Sequence, residues 1–118
     1  MNRLKSRADF LRAQKGVRRV TPSLTLETCA TPEPDAAALR VGFTATRKLG
    51  NAVARNRAKR RLREAARAVL PGAGRPAHDY VLVARPGTLD RPFASLLEDL
   101  ASAVRAAHLK LDATGDRP

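Results

Sequence analysis

Residues 53–70, "VARNRAKRRLREAARAVL", decide how this chain folds and where its charge lies. Ala54, Ala58, Leu62, Ala65 and Val69 recur at i, i+4, i+8, i+11 and i+15, which a 3.6-residue period gathers into one apolar stripe. The spacing predicts a long helix resting on that stripe. On the same wheel Asn56, Arg60, Arg63 and Arg67 fall opposite it, flanked by Arg55 and Lys59 on one side and by Arg57 and Arg61 on the other. Surface helices usually mix their signs, because like charges at i,i+4 cost roughly 0.2–0.5 kcal/mol a pair. Here Glu64 is the only acid in the segment. A plain solvated face is the bland reading. An unmixed arginine face instead favours phosphate binding, since the guanidinium fork makes bidentate contacts and tolerates desolvation better than an ammonium. Asn56 can accept a hydrogen bond where its arginine neighbours only donate.

Outward from this helix the chain alternates between strand and turn signals. Upstream, Leu39–Thr44 reads as a strand with Leu39, Val41 and Phe43 on one face, and Gly50-Asn51 ends the loop after it and can start the helix. Downstream, Pro71-Gly-Ala-Gly-Arg-Pro76 is expected to break the helix. Asp79–Ala84 is a short apolar run between turn signals, hence a buried strand ended by Arg85-Pro86-Gly87. Asp90 is expected to cap a last helix with Pro92 in its first turn and Phe93, Leu96, Leu97, Leu100, Val104, Ala107 and Leu111 on its apolar face. Residues 112–118 should fray.

Near the start, Ser6-Arg7-Ala8-Asp9 has the form of a capping box and opens a short helix ending near Gly16. Leu24–Thr28 alternates like a half-buried strand, and Ala30–Ala37, with two prolines, reads as the turn between two strands. The order α-β-β-α-β-α predicts an α+β or α/β two-layer sandwich, a small mixed sheet with packed helices, in a single domain over residues 1–118.

With 118 residues, 43% of them apolar, the chain can bury one modest core. A net charge of +12 works against compaction and draws polyanions, nucleic acid first. Cys29 is the only cysteine, which excludes an internal disulfide framework and a multi-cysteine zinc site and suits a reducing, cytoplasmic setting. His78 and His108 have no ligand-spaced neighbours and read as ordinary residues, so no metal ligand and no catalytic residue is expected. The N-terminal MNRLKSRADFLRAQKG lacks the apolar core of a secretory signal, and no run approaches the ~20 apolar residues of a membrane span.

These residues resemble a known family. Arg47-Lys48-Leu49-Gly50-Asn51-Ala52-Val53-x-Arg55-Asn56-Arg57-x-Lys59-Arg60-x-x-Arg63-Glu64 is similar to the signature of the protein subunit of bacterial ribonuclease P. Arg40-Val41-Gly42-Phe43 before it fits the same pattern, as do Leu4 with Asp9-Phe10 and Asp79-Tyr80-Val81 with Ala84-Arg85. The resemblance implies a left-handed β-α-β crossover around the arginine helix, against the usual right-handed rule. It implies binding to a large catalytic RNA subunit and to precursor tRNA, whose 5′ leader is removed by metal-dependent hydrolysis. Catalysis would then belong to the RNA, with Mg²⁺ required by the RNA-containing holoenzyme and no cofactor, membrane or DNA bound by the protein. Arg47, Lys48, Asn51, Arg55, Asn56, Arg57, Lys59, Arg60, Arg61, Arg63 and Arg67 would face RNA. The family's leader cleft uses aromatic side chains, of which Phe10 is retained while Gln14 and Glu27 stand where relatives often carry aromatics. On the residues alone Phe10 serves equally as a core residue. Two rivals have different requirements: a ribosomal or general RNA-binding protein shares the charge, whereas a self-sufficient nuclease needs acids converging on a metal.

Overall fold

The alternation of β5 (His78–Ala84) divides the molecule into two faces. Tyr80 and Leu82 join Leu24, Leu26 and Val41 in the main core, under α2 (Ala52–Ala73) and α4 (Phe93–Gly115). Val81 and Val83 turn to the other side, where α1 (Arg7–Gln14) lays Phe10 and Ala13 beside Leu4. The computed structural model describes residues 1–32 and 38–115, with side chains to 113.

Five strands form one sheet in the order β1-β4-β5-β3-β2: β1 (Asn2–Arg3), β2 (Val17–Val20), β3 (Leu24–Ala30), β4 (Arg40–Thr44) and β5. Thr28 of β3 lies opposite Tyr80 in an antiparallel ladder, and Val41 of β4 lies opposite the same Tyr80 in a parallel one. A parallel neighbour needs a long crossover, and α2 supplies it between β4 and β5. The prolines of 30–37 therefore join strands that are not neighbours, and Glu33–Ala37 lies outside the described residues.

The structure corrects two expectations. Pro71 does not break α2, which continues to Ala73 and closes with Gly74 N–H donating to Leu70 O at 2.8 Å. The pyrrolidine removes one N–H only from the last turn, on an exposed position, where the orphaned carbonyl meets water. Asp90 does not cap the last helix: it ends a five-residue helix, α3 (Pro86–Asp90). The last helix runs to Gly115, and residues 116–118 of the tail expected to fray lie outside the described residues. Three elements, β1, β2 and α3, carried too little periodicity to be read at all.

The buried side of α2 is Ala58, Leu62, Ala65, Ala66 and Leu70, with Ala54 and Val69 at its margin. That stripe is turned by roughly 40° from the one the spacing picked out, at 100° per residue. The turn brings Arg55, Lys59 and Arg63 toward the protein, half-buried, and leaves Arg57, Arg60 and Arg67 in full solvent.

Candidate nucleic-acid interface

The helix that carries the charge begins at a firm point. Gly50, with φ 147°, adopts a backbone that L side chains avoid, and Asn51 then caps α2 by accepting a hydrogen bond from Ala54 N–H at 2.9 Å. Asn51 thus has its carbonyl oxygen engaged and its amide hydrogens free. Arg47 and Lys48 lie exposed on the single 3₁₀ turn Arg47–Leu49 just before it. Val53, Asn56, Arg57, Arg60 and Arg63 then surround a shallow open dip on the helix face.

Among the described residues, every ion pair lies away from this face. Asp9 pairs with Arg12, Glu27 with Arg18, Asp79 with Arg40, Asp112 with Arg75 and Asp99 with Arg91. Arg47, Lys48, Arg55, Arg57, Lys59, Arg60, Arg63 and Arg67 are in none of them. Arg61 differs from its neighbours. Its guanidinium donates to Arg91 O and lies 6.0 Å from the Phe93 ring centre, so it joins α2 to the start of α4.

A second feature lies on the opposite side of the sheet. Arg7, Phe10, Leu11 and Gln14 of α1 overhang Arg18, Glu27, Thr44, Val81 and Val83 in a groove of about 390 Å³. The residues of the expected leader cleft, Phe10, Gln14 and Glu27, therefore share one wall-and-floor arrangement. Phe10 is half-buried, packed with Leu4, Ala13 and Val81 and lying directly over Gly42. Its ring is both packing and groove lining. Burial raises the Glu27 carboxyl above its ordinary range, partly countered by Arg18 at 3.9 Å, whose positive charge offsets that of the carboxylate.

The remaining signature residues turn inward. Arg40 donates through Nε and a terminal nitrogen to both oxygens of buried Asp79, at 2.8 and 2.7 Å, and reaches Asp9 at 3.3 Å, while Thr31 donates to Asp79 at 2.7 Å. This node joins α1, β4 and β5. Asp9 is held below the usual carboxylate range by the Arg12 hydrogen bond first, and Ser6 accepts from Asp9 N–H as its cap. Arg85 donates to Thr21 O at 2.7 Å. The Cys29 thiol, half-buried, is pushed up to about 11 by burial and then by Asp79, which makes it inert as a nucleophile at neutral pH.

The histidines were missed as a cluster because thirty residues separate them. Tyr80 OH sits 2.7 Å from His108 Nε2 and accepts from Arg75 N–H at 2.9 Å, with the His78 ring centre 6.4 Å from that of His108. An apolar-strand tyrosine with no partner in reach by sequence was the only available signal.

The profile of the Ribonuclease P family matches residues 1–108. The chain belongs to the ribonuclease P protein family. It is 53% identical over 106 residues to the ribonuclease P protein component of Ruegeria pomeroyi, covering 89% of this chain and 85% of that protein. With the Caulobacter vibrioides protein component it shares 48% over 115 residues, 98% of this chain and 76% of the relative. Its fold is that of the solved Thermotoga maritima RNase P protein, with TM-score 0.73 at 25% identity over 90% of this chain and 97% of the other. A Staphylococcus aureus RNase P protein matches with TM-score 0.73 at 29% identity, over 91% of this chain and 95% of that one. The chain is accordingly a protein component of ribonuclease P, an enzyme whose catalyst is RNA and whose work is tRNA processing.

Proposed function

We propose that α2 and the turn before it grip phosphates of the RNA subunit, while the groove under α1 holds the single-stranded 5′ leader of precursor tRNA. One observation carries this reading. Carboxylates pair with Arg12, Arg18, Arg40, Arg75 and Arg91, whereas the basic residues of 47–67 are paired with no acid, which leaves that face to an external polyanion. A structured RNA suits it, because an RNA helix is read by shape and phosphate rather than through its closed major groove. Asn51 and Asn56 would add hydrogen bonds that arginine lacks the acceptors to make. Arg61 would act at one remove, holding α4 against the helix.

Mg²⁺ is assigned to the RNA-containing holoenzyme. Among the described residues no helix is long and apolar enough to cross a membrane. A cytoplasmic site of action is the reading that the free Cys29 and the proposed RNA partners support.

Reconstitution tests the reading. Highly purified protein should cleave nothing. It should accelerate precursor cleavage by the RNA subunit, most strongly at low Mg²⁺ where phosphate repulsion is least screened. Cutting by RNA-free protein, or stimulation that is the same at every Mg²⁺ concentration, counts against it.

A further inference from the structure

Between the β1–β4 edge of the sheet and the flank of α2 runs a trough that shares only Arg63 with the dip on the helix face and only Phe10 with the leader groove. Its two halves, of about 350 and 360 Å³, share Arg3, Val41, Phe43 and Arg63 as common lining. Lys5 and Lys59 close one half and Arg67 the other, and no acidic side chain lines either. Each half falls in the ~300–1,000 Å³ range of small-ligand sites. Phe43 forms part of the floor, half-buried, with one side against the core. Arg63 Nε, like the Nε atoms of Arg19 and Arg61, is buried without a hydrogen-bond partner.

We infer that this trough binds one unpaired ribonucleotide, its base stacked on Phe43 and its phosphates held by Arg3, Arg63 and Arg67. Five cations converging without an acid call for an anion. An aromatic floor in their midst calls for a flat apolar group attached to it. A nucleotide provides both, and a base splayed from its helix finds its stacking partner on an aromatic ring. A duplex is too broad for the concavity. The inference rests on reading α2 as the RNA face, and Phe10, which lines both this trough and the leader groove, makes two sources of the nucleotide reachable: a bulged residue of the RNA subunit or the leader itself.

The test uses reconstituted holoenzyme. Phe43→Leu keeps most of the apolar volume and removes the stacking surface, Phe43→Tyr keeps both, and Arg60→Ala probes the outer helix face separately. A stacked base is worth ~1–3 kcal/mol, so Phe43→Leu should weaken RNA binding by roughly 5- to 160-fold with only a small drop in melting temperature, and Phe43→Tyr should stay near wild type. Arg3→Gln, on an exposed rim residue, should weaken the same binding event. Loss in binding of the isolated RNA subunit assigns the nucleotide to that subunit. Loss confined to precursor over mature tRNA assigns it to the leader. Undiminished affinity for both in Phe43→Leu overturns the trough whatever Arg60→Ala does, and so does a loss that Phe43→Tyr shares. Loss in Arg60→Ala alone leaves the helix reading standing without the trough.

Discussion

Phe10 shows how much one side chain can be asked to do. Its ring packs with Leu4 and Val81 and also lines the leader groove, so the choice between core and platform posed by the sequence has a mixed answer. Full removal of a buried phenylalanine costs ~3–5 kcal/mol, and a half-buried one costs less. Phe10→Ala should therefore lower stability moderately and weaken holoenzyme binding of precursor tRNA by the ~1–3 kcal/mol of a stacked base, with mature tRNA unaffected. Gly42→Ala offers an independent check, since a Cβ there would lie 2.6 Å from the ring and must displace it. The same selective loss is expected with the aromatic still present. Full-core destabilisation with precursor selectivity intact would remove Phe10 from the groove. At the other end of the core, His108 is held below the ordinary histidine range by burial first, then by Arg75 and His78, against a small opposing pull from Asp112. A base depressed in the fold binds its proton more readily when unfolded. Stability then rises with pH and is lost as pH falls through the ordinary value of about 6.5. Wild type should lose more melting temperature than His108→Gln between about pH 7 and pH 5, above the range where Asp9 and Asp112 titrate.

At the scale of elements, α2 was legible because its 3.6-residue period runs over five turns, and β5 because its apolar run is bounded by breakers. Legibility stopped where an element is defined by its neighbours. The two residues of β1 form a strand only by pairing with Arg40 and Val41, and β2 only by pairing with residues 25–28 of β3. The insertion of β5 between β3 and β4 is a non-local choice that turn chemistry does not encode. In the site, the arginines could be read but not their orientation, since a 40° difference in the buried stripe moves Lys59 and Arg63 from outer face to trough. The element-scale prediction concerns that outer face. Binding to the RNA subunit should weaken with salt, each neutralised phosphate adding roughly 0.7–0.9 to the log–log slope, and Arg60→Ala should shallow it by about one such step. Arg61→Ala, which removes a contact to Arg91 and Phe93, should instead lower stability with little change in slope. Identical slopes for wild type and Arg60→Ala would return the helix face to mere solvation.

The whole molecule measures 44 × 27 × 21 Å and carries a net charge of +12, a combination that sets salt against itself. At about 0.01 M ionic strength the Debye length of ~30 Å spans most of the molecule, and at about 0.15 M, ~8 Å, only near neighbours interact. Repulsion among the unpaired arginines of α2 and the trough therefore opposes folding at low salt and fades as salt rises. The melting temperature of the free protein should climb over this range, while affinity for RNA falls. The RNA subunit itself should act in the same direction as salt on the fold. Held at about 100-fold above its Kd, it stabilises by ~2.7 kcal/mol, on the order of 10 °C for a domain of this size. Thermal melts of the free chain across ionic strength, paired with melts of the complex, check both halves. Because the charge that binds RNA is the charge that strains the fold, a charge-removing double variant, Arg57→Gln with Arg60→Gln, should melt higher than wild type in low salt and bind RNA less tightly. If it melts lower, the exposed arginines are stabilising the free helix and the self-repulsion argument fails.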